Sequence, residues 1–219
     1  MPRALFEKTG NAVWISHLDL MRVFQRAFKR AGMHLTHTQG FNPRPSVSIA
    51  LPLSVGIESR CELLDFDLEG DGCSNEEILD RLNSNLIEGV RILSVYDESS
   101  KIKNLAYLDC ILTLEYDEGI PEGTEARLAE FFSKEEIIVE KRTKNGPKQE
   151  NIIPLIRNLQ ICPVDDHILE IHTRVCCQNP ALNPMQITAA IELYQPVQKP
   201  NFVKCRRVEV YDSNESVFR

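Results

Sequence analysis

The sequence predicts an α+β protein built from two tandem ferredoxin-like (βαββαβ) units, the second decorated. Three observations carry this reading. Alternating apolar residues mark short strands, and apolar residues at helical spacing mark the helices between them. The order strand-helix-strand-strand-helix-strand runs once through the first hundred residues. A similar order then begins again. The 219 residues suit two such units, and we place them at residues 1–100 and 106–219.

The first unit opens with a strand over 2–8 that ends at the turn Gly10-Asn11. Ser16 caps the following helix, and Asp19 three residues later makes a variant capping box. Leu20, Phe24, Ala27, Phe28 and Ala31 share one helix face, and Gly32 takes the left-handed position at its end. Residues 33–45 are loop-like, with Gly40, Pro43 and Pro45. Strands follow over 46–53 and 61–68. A helix over 74–87 carries the stripe Leu79, Leu82 and Leu86, and a strand over 90–96 closes the unit. The second unit reads as strand 107–116, helix 124–132, strands 137–142 and 149–153, a helical turn at 154–157, strand 167–175, a helix capped by Asn183 that reaches Tyr194, and strand 202–211.

Charge and composition bound the function. Charged residues make up 26% of the chain and the mean hydropathy is −0.24, which excludes disorder as the main state. No apolar run reaches the ~20 residues of a membrane helix, and Arg3, Glu7 and Lys8 exclude a signal peptide. A cytoplasmic protein is therefore expected. The net charge of −7 conceals an asymmetry. Residues 1–60 carry eight Lys/Arg against three Asp/Glu, 61–140 six against 21, and 141–219 eleven against eight. The balances are +5, −15 and +3. The first segment thus remains open to an anionic partner.

Seven cysteines without a C-x-x-C pair read as reduced thiols, and they lack the triad that holds an iron–sulfur cluster. His34 and His37 form an H-x-x-H with too few neighbours for a zinc site. No cofactor is called for. P-loop, G-x-G-x-x-G, H-E-x-x-H and G-x-S-x-G motifs are all missing.

The chemistry concentrates in Trp14–Arg22 and Gln39–Pro45. Arg22, Arg26 and Arg30 are successive i,i+4 positions, and with Lys29 they lie opposite the apolar face. A row of guanidiniums suits phosphates because each offers a planar fork of donors. Ser16, His17 and Asp19 have the residue types of a hydrolytic triad, but Ser16 and Asp19 are accounted for as caps. His17 alone remains a candidate general acid/base. In the loop, proline biases Asn42 and Arg44 towards extended backbone and Gly40 permits a positive φ. Phe41 offers a stacking face and Arg44 a cation, so Gln39, Gly40, Phe41, Asn42 and Arg44 are candidate binding residues. A second basic cluster, Lys141, Arg142, Lys144 and Lys148, surrounds the turn Asn145-Gly146-Pro147.

Several stretches carry a family resemblance: Lys8-Thr-Gly10, Ile15-Ser-His-Leu-Asp-Leu-Met-Arg22, Gln39-Gly-Phe-Asn-Pro-Arg-Pro45 and Leu51-Pro-Leu-Ser-Val-Gly56. With Thr143-Lys-Asn-Gly-Pro147, Ile153-Pro-Leu-Ile156 and Asn183-Pro184, they make the chain resemble the bacterial radical-SAM-associated domain of unknown function. The resemblance implies a radical-SAM partner protein and brings no established activity. It also implies histidine at position 44 in many relatives, so Arg44 is not read as a base.

Three functions follow as expectations. The first is a non-catalytic accessory module that binds structured RNA beside a radical-SAM protein. The second is a metal-free RNA-processing enzyme using His17. The third is a protein–protein adaptor docking through the acidic middle.

Overall fold

The computed structural model describes residues 2–70, 72–98, 100–143 and 146–219. They form two compact units, one up to Ile102 and the other Lys103–Phe218. Both are α+β. In the first, β1 (Pro2–Lys8), α1 (His17–Arg30), β2 (Val47–Ile49), β3 (Ile57–Phe66), α2 (Asn75–Asn83) and β4 (Val90–Asp97) follow in that order. The strands lie as β4-β1-β3-β2, antiparallel throughout.

Local sequence explains these elements. The Ser16 hydroxyl accepts from the Asp19 N–H at 3.2 Å and donates to the Asp19 carboxylate at 2.7 Å, which closes the N-terminus of α1. Leu20, Phe24, Ala27 and Phe28 are the buried stripe. Phe24 meets Phe6 of β1 edge-on at 4.8 Å, and Phe28 meets Phe66 of β3 at 4.9 Å. Helix α2 is shorter than expected, and its buried residues are Ile78 and Leu82 rather than Leu79, Leu82 and Leu86. The cause is Asn83, whose side chain donates to the Ile92 carbonyl at 3.0 Å and accepts from its N–H at 2.8 Å. That clamp ties the end of α2 to β4.

The second unit contains β5 (Leu105–Glu115), α3 (Thr124–Phe132), β6 (Ile138–Thr143), β7 (Gly146–Asn151), β8 (Ile156–Pro163), β9 (Ile168–Cys176), α4 (Met185–Tyr194) and β10 (Phe202–Asp212). Its strands lie as β10-β5-β9-β8, again antiparallel, and β6–β7 is a separate hairpin. The expected helical turn at 154–157 shrinks to a single tight turn over Ile153–Leu155, and β8 is a strand the sequence reading left out. Its pattern is nonetheless a strand pattern. Leu159 and Ile161 face the same side as the buried Thr173 and Ile171, while Asn158 and Gln160 face the other.

Acidic residues from the middle of the sequence meet one buried and one half-buried cation. Arg3, fully buried, grips Asp65 at 2.6 and 3.1 Å, reaches Glu98 at 3.2 Å and donates to the Ser100 carbonyl at 2.9 Å. In the second unit Arg174 forks onto Asp109 at 2.7 and 2.9 Å, reaches Glu215 at 3.0 Å and lies 3.8 Å over the Tyr211 ring. Removing one partner of such a buried pair leaves its charge undercompensated. Asp65→Ala should therefore lower unfolding free energy by about 3 kcal/mol in urea denaturation. A loss below about 1 kcal/mol would mean that Glu98 and Ser100 suffice to hold the guanidinium.

Candidate functional site

Residues 35–46 are a hairpin, and the end of β3 holds it. Leu35 bridges to Leu68. The Thr36 N–H donates to the Asp67 carbonyl at 2.9 Å, and the Thr36 hydroxyl to the Asp67 carboxylate at 2.9 Å. The Asp67 N–H donates to the Ser46 carbonyl at 3.0 Å, and the Ser46 N–H to the Thr36 carbonyl at 2.8 Å. Further out, the Thr38 N–H donates to the Arg44 carbonyl at 2.9 Å and the Arg44 N–H to the Thr38 hydroxyl at 3.1 Å. Gln39, Gly40, Phe41, Asn42 and Pro43 form the tip, with Gly40 at a φ of +134°. All five are exposed, and Phe41 has a relative exposure of 107%. An apolar ring so free of packing gains nothing from the fold.

The exposed face of α1 separates its cations by position. Arg22 pairs with Asp19 at 2.7 Å. The Ser16 hydroxyl first, and Arg22 next, hold the Asp19 carboxyl below the ordinary carboxylate range. The pair thus survives acidification to a pH at which a free aspartate protonates. Arg30 donates to the carbonyl of Asn85, just beyond α2. Arg26 and Lys29 are exposed and, among the described residues, have no hydrogen-bonded or ion-paired partner.

A groove of about 410 Å³ runs between the C-terminal half of α1 and the hairpin. Gln25 and Lys29 line the helix side, His34, His37 and Pro45 the hairpin side, and Glu69 adds a carboxylate. Phe28, Met33 and Leu35 supply its apolar surface. Sequence reasoning had placed Lys29 on the exposed face but had weighed His34 and His37 only as metal ligands, and it missed Gln25 and Glu69. Among the described residues, no three His, Cys, Asp or Glu side chains gather in metal-binding range.

The expected site residues therefore fall into groups. Ser16 and Asp19 cap α1, Arg22 answers Asp19, and Arg30 is turned towards α2. Arg26 stands free on α1, and Gln39, Gly40, Phe41, Asn42 and Arg44 project with the hairpin. His17 is half-buried at the first turn of α1, with a buried Nδ1 that has no partner, and it does not line the groove. In the second basic cluster, Lys141 is tied to Glu150 at 2.9 Å and to the Ala181 carbonyl at 2.8 Å, and Lys148 is exposed. Lys144 and the side chain of Arg142 lie outside the described residues.

Residues 2–184 match the family described as "Uncharacterized protein conserved in bacteria (DUF2344)". The chain belongs to that family. No curated protein matches the sequence of this DUF2344 member. Among solved structures it is similar to a chain of a Cbf5-Nop10-Gar1 complex, at 8% identity and a TM-score of 0.41, covering 96% of this chain and 57% of that one. A chain of an H/ACA RNP bound to a substrate RNA containing 2'-deoxyuridine gives 8% identity and a TM-score of 0.39, with 94% and 56% covered. This chain thus spans little more than half of either. An unknown protein from Galdieria sulphuraria gives 15% identity and a TM-score of 0.27, with 94% and 95% covered. Likeness at this level bears on neither substrate nor partner. No helix among the described residues is long and apolar enough to cross a membrane.

The hairpin of this DUF2344 protein depends on Asp67. Asp67→Ala removes the Thr36 hydroxyl bond, worth about 1 kcal/mol. Amide exchange at Thr38 and Ser46 should then quicken roughly fivefold by mass spectrometry or NMR, with α1 amides unchanged. Unaltered exchange at both would show that the backbone ladder alone holds the hairpin.

Proposed function

We propose that this DUF2344 protein is a non-catalytic binding module for structured RNA, working in the cytoplasm beside a radical-SAM protein. The RNA part rests chiefly on one observation. Arg26 and Lys29 stand exposed on α1, without an ion-paired partner among the described residues, and a groove joins that helix to a hairpin whose tip holds Phe41 fully in solvent. Cations without internal partners are suited to phosphates, and their counterion release gives affinity. An exposed aromatic ring is suited to an unstacked base in a loop or bulge, which is where RNA offers sequence to proteins. The +5 balance of residues 1–60 agrees with an anionic ligand despite the net charge of −7. The radical-SAM partner rests on the sequence resemblance alone. We read both units, residues 1–100 and 106–219, as ferredoxin-like, on the strand orders β4-β1-β3-β2 and β10-β5-β9-β8.

Binding to a fluorescein-labelled stem–loop RNA, followed by polarisation across a salt series, tests the reading. Arg26→Glu combined with Lys29→Glu should weaken binding and lower the salt slope by about two. Binding by the double variant equal to that of the parent at every salt concentration overturns the proposal. Phe41→Ala should cost about 1–3 kcal/mol of RNA affinity with the slope unchanged, since stacking releases no counterions. If the loss is instead confined to the slope, Phe41 is not a stacking residue.

A further inference from the structure

A second groove, of about 490 Å³, lies wholly within the second unit, between α3 and β8. Ala129 and Phe132 line it from the helix, and Leu159 and Ile161 from the strand. Strand β8 is the edge of this unit's sheet beyond β9. The Tyr116 N–H donates to the His167 carbonyl and the Cys177 N–H to the Ala106 carbonyl, so odd-numbered residues of β9 direct their backbone towards β5. Even-numbered residues of β9 then face β8, where they pair with Asn158, Gln160 and Cys162. The backbone N–H and C=O groups of Leu159 and Ile161 are left pointing outward, beside the groove.

Natural edge strands are normally blunted by lysine, proline or a covering element. Here proline enters only at Pro163, the last residue of β8, and the intervening run from Asn158 carries no charge. The open backbone and the apolar groove thus sit together without protection. The charges around them are unequal. Arg157 is drawn to Glu215 at 3.6 Å and lies 5.1 Å over the Tyr107 ring. Glu125, exposed on α3, has no ion-paired partner among the described residues.

We infer that this groove binds an extended polypeptide segment of another protein by strand addition to β8. The segment's backbone pairs with Leu159 and Ile161. Its alternate apolar side chains enter between α3 and β8 against Ala129 and Phe132, and a basic side chain answers Glu125. Main-chain bonds supply affinity in this mode, and the pockets for alternate side chains supply selectivity.

A phage-displayed library of random dodecapeptides, panned on the full chain, tests the inference. The expected result is enrichment of sequences with apolar residues two apart and a Lys or Arg nearby. Synthetic versions should bind at least tenfold more weakly to Ala129→Trp, which fills the groove from an exposed helix position. Leu159→Pro should be equally damaging, since it removes an outward N–H while sparing the ladder to β9. Glu125→Lys should reverse the basic preference, and the Arg26→Glu/Lys29→Glu variant should bind as the parent does. The inference falls if no sequence is enriched over a bare-resin control, or if the enriched peptides bind both groove variants undiminished. It also falls if the chain elutes as a dimer that Ala129→Trp dissociates, which would assign the groove to a second copy.

Discussion

The hairpin beside α1 depends on a short cross of hydrogen bonds at Asp67. This residue receives Thr36 on both its carbonyl and its carboxylate, and its own N–H is given to Ser46. Both arms of the hairpin are therefore fastened to one position just past β3. Proline at 43 and 45 limits what the arms can do between those fastenings. The result is a rigid lever whose root is fixed by the sheet and whose tip is free. Without the cross, the twelve residues 35–46, punctuated by Gly40, Pro43 and Pro45, would be a loop rather than a wall of the groove along α1.

The cations of α1 follow a positional logic rather than a compositional one. Two of them are committed. Arg22 answers an acidic residue of the first turn, and Arg30 satisfies a carbonyl just beyond the end of a neighbouring helix, where orphan acceptors concentrate. Arg26, at mid-helix, acts on Asp19 only at longer range, and Lys29, in the last turn beside Arg30, has no hydrogen-bonded or ion-paired partner among the described residues. A ridge of three arginines at i,i+4 spacing is thus two structural residues and one available one, and the lysine on the same face takes the place of the missing cation. Among the described residues, no carboxylate of the acidic middle forms an ion pair with Arg26 or Lys29, although Glu69 lines the groove with Lys29. Two of its carboxylates, Asp65 and Asp109, are occupied by Arg3 and Arg174, each in a two-pronged contact.

What could be read in advance follows from the range of the forces involved. Helix α1 was legible because its cap, its apolar stripe and its terminal glycine are all local. The hairpin was not, because its arms are held by Asp67 and Leu68, more than twenty residues further on, and its own sequence is punctuated like a loop. Gln25 and Glu69 entered the groove for the same reason: only the closed hairpin brings them to one concavity. In the second unit, Pro154 signals a turn, which the structure places at Ile153–Leu155 rather than over 154–157. The strand that follows it carries Asn158 and Gln160 on its outer face, and that polar alternation hid an edge strand whose inner face is apolar.

The two grooves differ in the chemistry they leave unsatisfied, and this separates their ligands. The one along α1 is lined by the Lys29 ammonium, the His34 and His37 imidazoles and the Glu69 carboxylate, with the Arg26 guanidinium exposed on the same helix, all groups that water solvates well. The ligand proposed for it is dense in negative charge, and its own counterions would be released on binding. The one along β8 presents peptide groups at an apolar boundary, where each can be matched only by another peptide group in register. A polyanion cannot satisfy that edge, and a neutral strand gains little from the cations of α1. The two proposed ligands, a polynucleotide for the first unit and a polypeptide for the second, therefore call on different groups, and attachment to one chain would raise the effective concentration of each for the other.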